Sequence, residues 1–80
     1  MDTKAVVKQF IMREFLPGEN PDELTDTTPL ITGGILDSLA TIKLIAFLED
    51  TFRVTFKAHE ADADHLNTLS DIVTLVDSKR

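Results

Sequence analysis

The chain has 80 residues, 42% of them hydrophobic, with 14 acidic and 8 basic side chains and a net charge of −6. Ordering a chain costs roughly 1.5 kcal/mol per residue, so a core of this size supports one domain over residues 1–80 and leaves little room for a buried catalytic cleft. The acidity excludes a nucleic-acid-binding stripe and attraction to anionic membranes, and the lack of cysteine excludes a disulfide scaffold and a thiolate metal site.

The first predicted helix runs from Thr3 to about Leu16. Val7, Phe10, Ile11 and Phe15 recur at helical spacing, Asp2 or Thr3 caps the start, and Pro17-Gly18 ends it. Residues 17–36 hold all three prolines and all three glycines and read as one long loop, of a kind that in small domains is usually functional or disordered. Its Leu24, Leu30, Ile31, Ile35 and Leu36 are expected to pack back onto the helices.

Asp37 to Phe52 is the strongest helix, with Asp37 as N-cap. On a helical wheel Leu44, Ile45, Leu48 and Phe52, with Thr41, form the inward face. Leu39, Ile42 and Ala46 form a second apolar strip roughly opposite, bordered by Lys43, Glu49 and Asp50. Such a strip, if left in water, marks an interaction surface. Beyond it, Phe52, Val54 and Phe56 alternate like a strand, but a lone strand has no partner, so the segment reads as an extended, docked connection. His59 to Leu66 predicts a helix of one or two turns, and Thr68-Leu69-Ser70-Asp71 has capping-box spacing and opens a last helix with Leu69, Ile72, Val73 and Val76 on one face. The fold class is all-α: a four-helix bundle with a long first loop and a short third helix, its core supplied by helices one, two and four.

Most catalytic motifs fail on inspection. His59-Glu60 would need a second histidine at the position of Ala63 to bind zinc, and Asp62-Ala63-Asp64 lacks the further ligand and glycine of a calcium loop. Gly33-Gly34 precedes no Gly-Lys-Ser/Thr, and reads as a turn needing positive φ before the second helix. Ser38 lacks the nucleophile elbow of a triad hydrolase. No apolar run reaches the about 18 residues of a membrane span. The start, MDTKAVVKQF, has no uninterrupted apolar stretch, so no signal peptide is expected and the cytoplasm is the expected location.

One constellation remains: Gly34-Ile35-Leu36-Asp37-Ser38-Leu39. It places a serine in the first turn of the best helix, where unsatisfied N–H groups favour an attached anion. On the residues alone, Asp37 and Ser38 also read as simple helix caps. The stretch resembles the phosphopantetheine-attachment motif of the acyl carrier protein family, Asp-Ser-Leu, here Asp37-Ser38-Leu39 after a glycine-containing loop. Ile42, Leu44, Leu48 and Phe52 match the aliphatic rhythm of that family's second helix, and the resemblance extends to length, acidity, helix order and the weak third helix.

The resemblance implies a fold of acyl-carrier type and a protein that is not an enzyme. Ser38 would hold a covalent 4′-phosphopantetheine, delivered from coenzyme A by a phosphopantetheinyl transferase. The arm's thiol would bear the cargo as a thioester, loaded by an acyl or aminoacyl ligase and passed to downstream transferases or synthases. A monomer is expected, with Leu39, Ile42 and Ala46 as partner surface and Glu49 and Asp50 steering basic partners. Unlike fatty-acid-synthesis carriers, the chain has Ala40 rather than an acid after Asp-Ser-Leu, and Lys43 adds a positive charge. The first expectation is therefore an acyl carrier of a specialised pathway, of fatty-acid or polyketide type, and the second an aminoacyl carrier. Gly34 to Leu48 and His65-Leu66-Asn67-Thr68 are similar to D-alanyl and other stand-alone aminoacyl carriers. The rival of another class is an acidic helical interaction module that is never modified.

Overall fold

In the computed structural model, which describes residues 2–80, Asp2 caps helix α1 (Thr3–Phe15), its carboxylate accepting from the Lys4 N–H at 3.1 Å. Asp37 caps α2 (Ser38–Phe52) and Asp62 caps the single-turn α3 (Ala63–Leu66). Thr68 caps α4 (Leu69–Lys79), its hydroxyl accepting from the Asp71 N–H at 3.0 Å. Each start is thus set by a short polar side chain that takes up an orphan N–H. Among the described residues there is no strand, and the expected four-helix, all-α architecture of acyl-carrier type is what forms. Among them also, no helix is long and apolar enough to cross a membrane.

The core joins Val7 and Ile11 of α1, Leu44 and Leu48 of α2, Leu66 of α3 and Leu69, Ile72 and Val76 of α4, all fully buried. Burying a side chain of this size contributes about 1.5–3 kcal/mol. The loop also supplies core: Leu24, Leu30 and Leu36 are buried, while Ile31 and Ile35 are half-buried against them. On α2 the inward face is wider than the wheel indicates. Ala40 is buried, and Phe47 is half-buried at one edge as Ile45 is at the other.

The long loop is ordered by a cap of its own and by hydrogen bonds to Asn67 and Ser70, beside the start of the last helix. Asn20 caps a 3₁₀ turn at Pro21–Glu23, the Ser70 N–H donates to the Asp26 carbonyl at 3.2 Å, and the Leu30 N–H donates to the Asn67 carbonyl at 2.6 Å. After α2 the chain turns through Arg53, whose φ of 58° is left-handed. The segment beyond is extended and docked: Val54 is buried, and the Phe56 N–H donates to Glu49 Oε2 at 2.8 Å. A 3₁₀ turn at Ala58–Glu60 follows. Glu60 fastens it, accepting from the Lys57 N–H at 2.7 Å and from Lys79 Nζ at 2.8 Å. These two donors, the backbone one first, hold the Glu60 carboxyl below its ordinary pKa.

Candidate attachment site

Asp37 organises the site. Its Oδ1 accepts from the Ala40 N–H at 2.8 Å, and its carbonyl accepts both the Thr41 N–H at 2.9 Å and the Thr41 hydroxyl at 2.8 Å. Ser38 follows as the first helical residue and is exposed. Its hydroxyl makes no hydrogen bond among the described residues. Since Thr41 is the first residue to donate within the helix and Ala40 donates to Asp37, the Ser38 and Leu39 N–H groups stay open at the positive end of the helix dipole.

The two glycines before the helix serve different needs. Gly34 has φ of 85°, as the turn reading requires. Gly33 is needed for space instead: a Cβ there would run into the Pro29 carbonyl oxygen. Together they close the chain on itself between Leu30 and Leu36, where the Leu36 N–H donates to the Leu30 carbonyl at 2.8 Å.

Beside Ser38 lies an open groove of about 480 Å³, lined by Ile31, Leu36, Thr41, Ile42, Ile45 and Asp62 among others. Asp62 gives it an acidic rim. Its Oδ1 lies 2.7 Å from His65 Nδ1. That hydrogen bond holds the Asp62 carboxyl below, and the His65 imidazole above, their ordinary pKa values. A larger groove, about 840 Å³, runs along Ala5, Lys8, Met12, Leu16 and Pro17 and contains none of the motif residues. His59 and His65 stand edge to face, ring centroids 6.2 Å apart. No group of three or more metal-ligating side chains is gathered there or elsewhere among the described residues.

The apolar strip of α2 faces solvent. Leu39 and Ile42 are each 62% exposed, and Ala46 is exposed beside them. The loop of residues 17–36 does not cover it. Of the acids expected around it, Asp50 is exposed, whereas Glu49 is half-buried and engaged with the Phe56 N–H. Ala40, where fatty-acid-synthesis carriers often place an acid, belongs to the core side rather than to this strip.

An exposed hydroxyl and two N–H groups without a partner among the described residues, with a groove alongside, fit a tethered phosphate ester with an extended arm. Residues 11–76 match the family described as "Phosphopantetheine attachment site", and the chain belongs to that family. Fold and family define a phosphopantetheine carrier protein, whose prosthetic group is a covalently attached 4′-phosphopantetheine. The chain is 32% identical over 74 residues to the D-alanyl carrier protein of Streptococcus suis (strain 98HAH33), covering 92% of this chain and 90% of that protein. It is 36% identical over 73 residues to the D-alanyl carrier protein of Streptococcus pyogenes serotype M5 (strain Manfredo), and 34% over 73 residues to that of Streptococcus mutans serotype c, in each case covering 91% of this chain and 89% of the relative.

Proposed function

We propose that Ser38 bears the 4′-phosphopantetheine and that the cargo is an aminoacyl group, with D-alanine the first candidate. The prosthetic group supplies the thiol that a chain without cysteine lacks. The chain's own residues orient and present it. Asp37 holds the first turn so that the Ser38 hydroxyl stands in water, and the open Ser38 and Leu39 N–H groups favour the phosphate charge. Asp37 Oδ1 is engaged with the Ala40 N–H and no hydrogen bond joins the Ser38 hydroxyl to a base among the described residues, so its proton is taken by the transferase; in this reading the chain is a substrate of its partner enzymes and not a catalyst. Tethering then raises the effective concentration of cargo at each partner. Leu39, Ile42 and Ala46 offer those partners a small apolar face, suited to weak and transient docking.

The observation that carries the cargo assignment is similarity to D-alanyl carrier proteins along about nine-tenths of both chains. An aminoacyl group is itself an acyl group, so this narrows the carrier expectation and ranks the aminoacyl alternative ahead of a fatty-acid or polyketide pathway. The test has two stages. Wild type and Ser38→Ala are incubated with coenzyme A and a broad-specificity phosphopantetheinyl transferase and weighed intact. One added phosphopantetheine on wild type and none on the variant is expected. Modification persisting in Ser38→Ala removes the assignment, and an unmodified wild type favours the interaction module. The loaded protein is then offered D-alanine with ATP and a streptococcal D-alanine ligase, and octanoate with an acyl ligase. Acceptance of octanoate with refusal of D-alanine overturns the cargo proposal.

A further inference from the structure

We infer that Asn67 is a positioning residue for the attachment site, holding the loop that delivers Ser38 and lines part of the groove beside it. The inference rests on the reading of Ser38 as the attachment point. Asn67 Oδ1 accepts from two successive backbone groups, the Ile31 N–H at 2.9 Å and the Thr32 N–H at 3.0 Å. Its Nδ2 donates to Thr32 Oγ1 at 3.2 Å, and its own carbonyl accepts from the Leu30 N–H at 2.6 Å. Two main-chain donors on one side-chain atom fix that atom as the oxygen. A single residue thereby gathers three consecutive residues of the loop from 35 to 37 positions away in sequence.

The consequence reaches Ser38 in two steps. Leu30, pinned by Asn67, accepts from the Leu36 N–H at 2.8 Å, and Leu36 is followed directly by the cap Asp37 and by Ser38. The same clamp sets the groove. Ile31 and Asp62, the cap at the start of α3, both line it. Asn67 is the residue that ends α3, so its side chain ties Ile31 to the far end of the helix that Asp62 begins. The chemistry needs a carbonyl or carboxylate oxygen at this reach. Leucine has the same shape without an acceptor and leaves the Ile31 and Thr32 N–H groups unpaired. Aspartate keeps the acceptor, and the Thr32 hydroxyl can rotate to donate to it.

A residue that only stabilised the fold would leave the rate of modification untouched wherever the protein is fully folded. Wild type, Asn67→Leu and Asn67→Asp are therefore compared with coenzyme A and the transferase at a temperature where circular dichroism shows all three folded. Asn67→Leu should lower kcat by about tenfold or more with little change in KM for the carrier, because the loop and not the α2 strip is disturbed. Asn67→Asp should restore kcat to within about threefold of wild type. Equal kcat for wild type and a folded Asn67→Leu overturns the inference, as does a failure of Asn67→Asp to rescue. Hydrogen exchange on wild type decides independently if Asn67→Leu does not fold. Protected Ile31 and Thr32 amides support the clamp, and exchange as fast as in an unstructured peptide overturns it. A wild type that takes up no phosphopantetheine removes the attachment reading and this inference together. A wild type modified at Ser38 and matched by Asn67→Leu removes the inference alone.

Discussion

The rings of Phe10 and Phe47 stack nearly parallel, 15° apart in plane, with centroids 3.9 Å apart. The pair joins α1 to α2, and Phe15 meets Phe10 edge-on at 5.8 Å. Phe47 is only half-buried, so Phe47→Ala should cost about 1–3 kcal/mol, less than a fully buried phenylalanine. Urea denaturation measures this directly. A midpoint unchanged from wild type would mean that the stack contributes nothing.

Core and partner surface should separate on α2. Leu48 is fully buried and Ile42 is 62% exposed. Leu48→Ala should lose about 2–5 kcal/mol, a large share of a small domain's stability. Ile42→Asp should melt close to wild type yet slow modification or loading. The check is transferase and ligase kinetics on the folded variant, beside thermal melting of both. Wild-type rates for Ile42→Asp with every partner would remove the strip from the functional account.

The paired glycines should respond differently to alanine. Gly34→Ala meets no neighbour but is forced to keep a positive φ, at about 1–2 kcal/mol. Gly33→Ala meets the Pro29 carbonyl, a backbone group that cannot swing aside, so the turn itself must shift. Amide chemical shifts from Leu30 to Ser38 should move in Gly33→Ala and stay near wild type in Gly34→Ala. The rate of phosphopantetheine transfer should fall more in Gly33→Ala.

The His65–Asp62 pair predicts a pH dependence with a definite sign. The Asp62 side chain raises the His65 pKa in the folded state. That contribution is complete below the unfolded value, about 6.5, and is lost as pH rises through the folded one. Asp62 is shifted down by the same bond, so its contribution is present above the unfolded value and is lost as pH falls through the folded one. Asp64 and Glu60 add to the field at His65, and the His59 ring stands 6.2 Å away. The histidine titration followed by NMR should lie above the ordinary value in wild type and drop toward it in Asp62→Asn. An identical titration in the two proteins would refute the pairing.

Much of this fold was legible because local signals agreed with one another. Asp37 and Thr68 read as caps and are caps; Val7, Ile11, Leu48 and Ile72 read as core and are buried. Phe47 escaped notice because it lies at the edge of the apolar arc, where only the presence of Phe10 across the helix interface decides which way it turns. Ala40 escaped because a small side chain near the motif carries no strong preference for either face. The role of Gly33 could not be read from its neighbours, since the clash that requires it involves a carbonyl four residues back in a folded turn. The family was legible from a tripeptide in context, Asp37-Ser38-Leu39 after a glycine-containing loop. The clasp of Asn67 on residues 30–32 was not, because hydrogen bonds across such a sequence separation leave no periodicity behind.

Asp37 uses both its carboxylate and its carbonyl to complete the first turn around Ser38. The conformational entropy of that turn is therefore surrendered once, when the chain folds. With Ser38 as the proposed attachment point, a partner enzyme meets an acceptor hydroxyl on a backbone with few alternatives left to lose, and no segment must order itself at each encounter. For a molecule that must dock, react and leave repeatedly, preorganisation of this kind lets a small contact face suffice: association needs little ordering, so release can stay fast without sacrificing alignment.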